Sequence, residues 1–560
     1  MRRLVQFLCL LLTLSILIGC APAAQTEEPA TAPEKSGASV DSEQIGVVQT
    51  EQALAQIKTL GESPDDNYRT YYEVFVYSFC DSDGDGIGDL KGLTSKLDYL
   101  QDLGITGLWL MPIHPSQSYH KYDVRDYYDI DPQYGTLADF DAFMAECQKR
   151  DIHVILDLVL NHTGDDNGWF LQAVDYLKSL PAGAQPDLEE CPYVDYYFFS
   201  REGGSHYHEI SGTDWKYEGM FSPDMPDVNF ENEALWGEIE DIMRFWIDRG
   251  VSGFRLDAAK EFYSGNVTKN VEVLSRIQQT ATAIKPDCYL VAEVWEGFQQ
   301  IAKYYESGIT SIFNFAFGNS DGKITKVIRG AGNPDMVSTY ATALEKADAD
   351  YLASNPDYID APFLSNHDVG RIAGFANRDE NKIKLAGAMN VLMSGSCFIY
   401  YGEELGMSGS GNDPSKRAPM LWNEARDDGT TNPPPECELP EEYPLGSLEV
   451  QKDDDSSVYN YYRKVIALRN ALPVISHGRT TCETALNTGC ISAQRKTWGE
   501  ETCIILMNID PDGADVDLSA YKDWKVAACI SADGGEFVLD PESSIFSMPA
   551  YGIAVLLPAA

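Results

Sequence analysis

An α/β chain built on a (β/α)8 TIM barrel, with a subdomain inserted after the third strand and a C-terminal antiparallel β-sandwich, is the fold this sequence predicts. Three observations carry the prediction. Between Tyr71 and about Leu472, short apolar runs alternate with amphipathic stretches, the signature of a parallel α/β architecture. Four of those runs end in acidic or imidazole residues, as strands buried on both faces do when their tips open into a cleft. Beyond about Asn470 the pattern changes to alternation broken by turn dipeptides.

Taken in order, residues 1–20 begin with Arg2 and Arg3, continue as an apolar stretch from Leu4 to Ile18 and end Leu17-Ile18-Gly19-Cys20. This is a secretory signal whose apolar core is too short to span a bilayer. Residues 21–66, rich in Ala, Pro, Thr, Ser and Glu, read as a flexible tether. The barrel is assigned to 67–160 and 233–472, with strands near Tyr72–Val76, Thr106–Leu110, His153–Leu160, Ser252–Leu256, Tyr289–Glu293, Ser311–Phe315, Ala361–Leu364 and Cys397–Tyr400. Segments such as LTSKLDYLQDLG (93–104) and LADFDAFMAECQKR (137–150) supply helices with apolar residues spaced by three and four. The connection over 161–232 is far too long for an ordinary βα loop and is expected to form the inserted subdomain. Residues 473–560 are expected to form the sandwich, with ETCIILMNI (501–509) and YGIAVLLP (551–558) as clear strands.

Composition narrows the function. A formal charge of −45, from 87 acidic against 42 basic residues, excludes nucleic acid as a natural partner and leaves neutral substrates unaffected. Ten cysteines remain after Cys9 and Cys20, without tight metal-ligand spacing; Cys482 and Cys490 could close a hairpin.

The strand tips read DLVLNH (157–162), GFRLDA (253–258), VAEVW (291–295) and FLSNHD (363–368). They bring Asp157, Asp257, Glu293 and Asp368 to one end of the barrel beside His162, His367 and Arg255, a setting for acid/base and nucleophilic chemistry on sugars. Arg255 lies two residues before Asp257 on one strand, so both side chains share a face. In order and wording these segments, with MPDVN (225–229), resemble the conserved regions of the α-amylase family, glycoside hydrolase family 13, over roughly residues 70–560. The resemblance implies a retaining enzyme on α-glucosidic bonds, with Asp257 as nucleophile, Glu293 as acid/base and Asp368 as the carboxylate that grips sugar hydroxyls. It also implies sugar contacts from His162, His367 and Tyr122, the last within SYHKYDVRDYYDIDPQYGT (118–136), and an insertion that walls the cleft, where Trp169, Tyr196, Tyr207 and Trp215 are candidates for stacking. Asp123 and Arg371 match a pair that closes the cleft in chain-end-trimming relatives. Where family α-amylases commonly read Lys-His after the nucleophile this chain has Lys260-Glu261, so Lys260 is kept as a sugar contact and the histidine contact is lost.

The first strand leads into Asp81-Ser82-Asp83-Gly84-Asp85-Gly86-Ile87-Gly88-Asp89, whose alternating oxygen donors (the carboxylates of Asp81, Asp83, Asp85 and Asp89 and the Ile87 carbonyl) suit Ca²⁺. Position twelve is Leu93, so the bidentate glutamate of an EF-hand is absent. The N-terminal segment resembles a bacterial lipobox, which implies a lipidated Cys20 and an extracytoplasmic enzyme on the cell surface, touching the membrane only through its anchor. The expected protein is a monomeric α-amylase cleaving internal α-1,4 bonds of starch, maltodextrin or malto-oligosaccharides. Exo-acting α-glucosidase, oligo-1,6-glucosidase, neopullulanase-like and 4-α-glucanotransferase activities stay open, as does, from another class, a non-catalytic starch-binding lipoprotein.

Overall fold

The computed structural model describes residues 46–47 and 66–559. Cys20, the signal and most of the expected tether lie outside the described residues. Seven parallel strands form one curved sheet, in the order Ser311–Ile312, Tyr289–Ala292, Gly253–Leu256, His153–Leu158, Gly107–Leu110, Thr70–Val74 and Cys397–Tyr400. The eighth position is closed by 361–363, where Ala361 bridges Phe313 and Phe363 bridges Phe398, both parallel. The expected seventh strand is thus reduced to two single bridges, because Pro362 inside it has no N–H to donate to a ladder. The first strand is also shifted from expectation, ending at Val74 and giving way to a short helix, Val76–Phe79.

Inside the ring Tyr71, Trp109, Ile155, Tyr289, Val291, Phe313, Phe363 and Phe398 form a closed apolar cluster. Tyr71 stacks between Phe398 at 4.8 Å and Tyr289 at 5.3 Å, which fills the barrel rather than leaving a pore. Gly107 is required there, since a Cβ would lie 2.5 Å from the Tyr71 ring. The helices begin on side-chain caps: Thr136 and Asp139 form a capping box ahead of Leu137–Lys149, and Asn232 and Asn266 cap Glu233–Ile247 and Val267–Ile284.

Residues 161–232 carry a helix (Gly168–Ser179) and a three-stranded antiparallel sheet of Phe199–Ser200, Lys216–Glu218 and Tyr207–Glu209. The C-terminal region contains two antiparallel sheets. One has five strands, in the order Arg479–Cys482, Ile491–Trp498, Glu501–Asn508, Ile553–Pro558 and Trp524–Ile530. Its inner face, with Cys503, Ile505, Met507, Ala528, Ile553 and Val555, belongs to the same apolar core as the barrel helices. Its outer face packs with Val516, Phe537 and Phe546 in a separate core.

Two expectations are corrected. Within the stretch read as a free tether, Gly46–Val47 pairs antiparallel with Val538–Leu539, and Asp66 accepts a 2.8 Å contact from His477 Nε2. Two residues can complete a sheet edge without any core-forming period. All ten described cysteines are free, so the Cys482–Cys490 closure is not made; Cys482 ends a strand paired against Gln494. No helix among the described residues is long and apolar enough to cross a membrane.

Candidate active site

The C-terminal tips of the barrel strands converge on a cleft of about 590 Å³ lined by Tyr122, His162, Asp257, Glu293 and Asp368 from the predicted set. A cavity of about 630 Å³ lies around Asp151, His153 and Ser252 at the strand starts, where none of these residues reaches.

Arg255 organises the acidic groups. Its side chain is 1% exposed; Nη1 lies 2.8 and 3.0 Å from the two Asp157 oxygens and 2.6 Å from Asp257 Oδ1, and Nη2 lies 2.8 Å from Glu293 Oε2. One planar, permanently charged guanidinium therefore faces three carboxylates, a task its fork of donors suits. The Ala258 N–H also donates to Glu293 Oε2 at 3.0 Å, from a residue held at φ +46°. A left-handed alanine costs about 1–2 kcal/mol, so strain is stored next to Asp257 to aim that donor. Burial, reinforced by Asp257 and Asp368, pushes the Glu293 carboxyl up against the opposing pull of Arg255. Burial likewise pushes Asp157 up to about 7 despite Arg255.

Asp368 stands opposite. Its Oδ1 receives Arg417 Nη2 at 2.8 Å and its Oδ2 stands 3.0 Å from His367 Nε2 as an ion pair. Burial works against its ionisation, yet His367 and Arg417 outweigh it and hold the carboxyl well below the usual carboxylate range. His367 Nδ1 lies 2.6 Å from Glu73 Oε1, and Tyr122 links the two halves of the site, its hydroxyl 2.7 Å from His367 Nε2 and donating to Asp157 at 3.0 Å. Burial disfavours a charged His367, but Asp368 and Glu73 raise it to about 9. Neither ring nitrogen of His162 has a well-formed hydrogen bond within the protein, and burial lowers its basicity, which leaves a neutral imidazole facing the cleft.

Several predicted contacts lie elsewhere. Asp123 accepts from the hydroxyls of Ser116 and Ser118, while Arg371, 1% exposed, bonds the carbonyls of Tyr401 (2.6 Å) and Lys416 (3.0 Å) under the Tyr400 ring. The expected pair across the cleft is therefore not formed, because each partner is satisfied by its own neighbourhood. Lys260 Nζ is engaged by the Trp295 carbonyl at 3.3 Å and Glu296 at 3.4 Å and does not line the cleft. Trp169 stacks on Tyr127, Tyr196 packs on Trp169 and Trp215 lies under Arg201, so these aromatics serve the subdomain core, and Tyr207 does not line the cleft either. The subdomain contributes Phe221, 51% exposed above His162, and Met225 instead. Sequence reasoning missed Glu73, Tyr119, His120, Phe221 and Arg417. Glu73 carried a signal as a single charge inside the apolar run TYYEV, and Tyr119 and His120 stand beside Tyr122 in the quoted segment 118–136; Phe221 and Arg417 carried none.

In the 81–89 loop, Asp81, Asp83 and Asp89 place one oxygen each within 4.8 Å of one another. Asp85 is not in that cluster; its Oδ1 accepts from the Ile87 N–H at 2.7 Å. Asp81 organises the loop by accepting from the Gly84 and Gly86 N–H groups, and Asp89 caps the following helix, so Asp83 is the member with least structural duty.

A barrel with carboxylates gathered at its strand ends around one arginine defines a glycoside-cleaving enzyme of the carboxylate type. Residues 73–478 match the α-amylase catalytic domain, and the chain belongs to the α-amylase family of glycoside hydrolases. It is 39% identical over 417 residues to Alpha-amylase 3 of Dictyoglomus thermophilum, covering 73% of this chain and 78% of that protein. It is 30% identical over 465 residues to a glucan 1,6-alpha-glucosidase of Streptococcus pneumoniae, covering 71% and 83%. The solved structure of Eubacterium rectale Amy13B superposes with a TM-score of 0.87 at 44% identity, covering 92% of this chain and 99% of that one.

Proposed function

We propose that this enzyme is an α-amylase that hydrolyses internal α-1,4-glucosidic bonds of starch, maltodextrin or malto-oligosaccharides with retention of configuration. The observation that carries the reading is the bridging of Asp257 and Glu293 by the two terminal nitrogens of Arg255. Groups tied to one guanidinium are held near each other, which favours the retaining class, whose carboxyls stand about 5–5.5 Å apart, over the inverting class, which parts them by ~6.5–9.5 Å to admit a water.

Asp257, positioned by Arg255 Nη1 at 2.6 Å, attacks the anomeric carbon. Glu293, pushed up by burial, starts protonated and donates to the leaving oxygen, then deprotonates the water that resolves the glycosyl-enzyme. Asp368, kept anionic by His367 and Arg417, accepts hydrogen bonds from sugar hydroxyls and favours the oxocarbenium-like transition state. Tyr122 offers a ring face to the sugar and His162 its two free ring nitrogens. Internal cleavage is supported by the absence of the Asp123–Arg371 barrier, since a cleft not closed by that pair can accept a chain on both sides of the broken bond.

The Asp81, Asp83 and Asp89 oxygens would hold Ca²⁺, whose preference for hard oxygen ligands they match. The ion would brace the loop between the first strand and the next helix and take no part in bond cleavage. Lipidation at Cys20 would place the enzyme outside the cytoplasm on the cell surface. Products from end-labelled maltoheptaose test the activity: a spread of internal fragments with the α-anomer formed first is expected. Glucose released from one end alone, or no cleavage, overturns it.

A further inference from the structure

Behind the cleft lies a buried contact that the proposed chemistry does not use. Glu73 sits in the first barrel strand, Thr70–Val74, 1% exposed, and its Oε1 accepts both the backbone N–H of His367 (3.4 Å) and ring Nδ1 (2.6 Å). On the opposite side of the same fully buried ring, Nε2 faces Asp368 Oδ2 at 3.0 Å and the Tyr122 hydroxyl at 2.7 Å. Tyr122 has already directed its proton to Asp157 Oδ2, so it presents a lone pair to the imidazole. Every oxygen facing a ring nitrogen is thus an acceptor. A neutral imidazole has one N–H and one lone pair. Whichever tautomer it took, a lone pair would face a carboxylate, that of Glu73 or of Asp368.

We infer that Glu73 is a positioning residue: by accepting the Nδ1 proton it keeps His367 doubly protonated, so that the cationic ring holds Asp368 as an ion pair across Nε2. The inference rests on the reading of Asp368 as the sugar-gripping carboxylate. The groups around the ring are consistent with it. From other elements these are Glu73, Tyr122 and, through Tyr122, Asp157 and Arg255, whose Nη1 donates to the Tyr122 hydroxyl at 3.5 Å; Arg417 bonds the His367 carbonyl, while Trp109 presents an uncharged ring at 5.6 Å. Two carboxylates in direct contact outweigh the more distant cations, in keeping with the shift of His367 to about 9. Burial pushes the Glu73 carboxyl up as well, with His367 pulling against it; the proton they share belongs on the ring, because only the ring has Asp368 as a second partner.

The device would hold Asp368 in one orientation before substrate arrives. Sugar hydroxyls then meet a fixed acceptor rather than one that must first be turned and desolvated.

Nitrogen-15 NMR of histidine-labelled enzyme tests this, with His367 assigned by its absence from a His367→Gln variant. At pH 8 both ring nitrogens of His367 should carry protons, and the ring should titrate near pH 9. In Glu73→Gln, which keeps the shape but removes the charge, it should titrate at least one pH unit lower. The ratio of kcat/KM at pH 8.5 to that at pH 6 should fall at least about threefold below the wild-type ratio, the drop in protonated ring that a one-unit shift from about 9 brings, while Glu73→Asp should keep the wild-type profile shape. A wild-type His367 with a single ring proton at pH 7 overturns the inference. So does a Glu73→Gln profile that superimposes on the wild type after scaling, the result a merely structural glutamate would give. If Glu73→Gln does not fold, the wild-type titration alone decides. Failure of the wild type to cleave maltoheptaose would reject the proposed function while leaving the nitrogen titration intact as a test of Glu73.

Discussion

Replacing Arg255 by lysine separates charge from geometry at the centre of the site. The guanidinium makes charge-assisted contacts of 2.6–3.0 Å to Asp157, Asp257 and Glu293. A lysine keeps the positive charge but has one nitrogen and no fork, so it cannot serve Asp257 and Glu293 from two positions. Losing two such bonds, at about 1.5–3 kcal/mol each, removes ~3–6 kcal/mol of organisation. Expressed in the transition state, that is a fall in kcat/KM of roughly 10²–10⁴-fold. Arg255→Met removes the charge too and leaves three carboxylates buried beside one another, so about 3–5 kcal/mol of folding stability should also go. Initial rates on maltoheptaose with parallel thermal melts read both effects. Arg255→Lys should be folded and slow, and Arg255→Met slow and unstable. A lysine variant within tenfold of wild-type rate, or a methionine variant that melts with the wild type, would show that Arg255 does not organise the carboxylates.

Other expectations follow from the same structure. Asp257→Asn and Glu293→Gln should each lower turnover by several orders of magnitude with the fold intact; more than a tenth of wild-type rate in either would reject its role. Calcium should raise the melting temperature, by an amount corresponding to roughly 2.7 kcal/mol when free ion is a hundredfold above its dissociation constant, and Asp83→Ala should abolish that rise while sparing activity where the protein stays folded. A calcium response retained in Asp83→Ala would remove this loop from consideration. Burial pushes Glu403 up to about 8 and Glu404 up to about 7. Both folded values exceed the unfolded one, so the stability these groups lend is full below about pH 4.5 and is lost as pH rises through 7 and 8. The melting temperature should therefore fall between pH 6 and 9, and less steeply in Glu403→Gln; equal slopes would contradict the shift. Cys20→Ser should release the enzyme from the membrane fraction with unchanged activity, and retention there would point to a different anchor.

What the sequence disclosed and what it concealed follow from the range of the interactions. The strand-tip residues were legible because a parallel strand must be apolar on both faces, so a carboxylate at its end is conspicuous. Asp257, Glu293, Asp368 and His162 all reach the cleft that their motifs announced. Partners supplied by distant loops were not legible. Arg417 reaches Asp368 from a loop after the last barrel strand with no periodicity to mark it, and Arg371 turns beneath that strand instead of toward Asp123. The subdomain aromatics, each of which read singly as core before sugar subsite, are core for a related reason: an inserted unit of some seventy residues must build a core of its own, and Trp169 and Tyr196 are consumed in doing so. Phe221 then becomes the exposed ring, a choice that depends on packing and not on composition.

The shared core of barrel and C-terminal sheet has a consequence for how this chain comes into being. Ile553 and Val555 lie in the strand Ile553–Pro558, far along the chain from the barrel, yet they complete the apolar layer that covers the barrel helices. A ribosome-bound chain therefore exposes an unfinished hydrophobic face until that strand has emerged. Arrival of the strand Ile553–Pro558, not the end of the barrel segment near residue 472, is the event that permits the catalytic unit to close. A chain cut before Ile553 should yield an aggregating fragment rather than an active enzyme lacking an ornament.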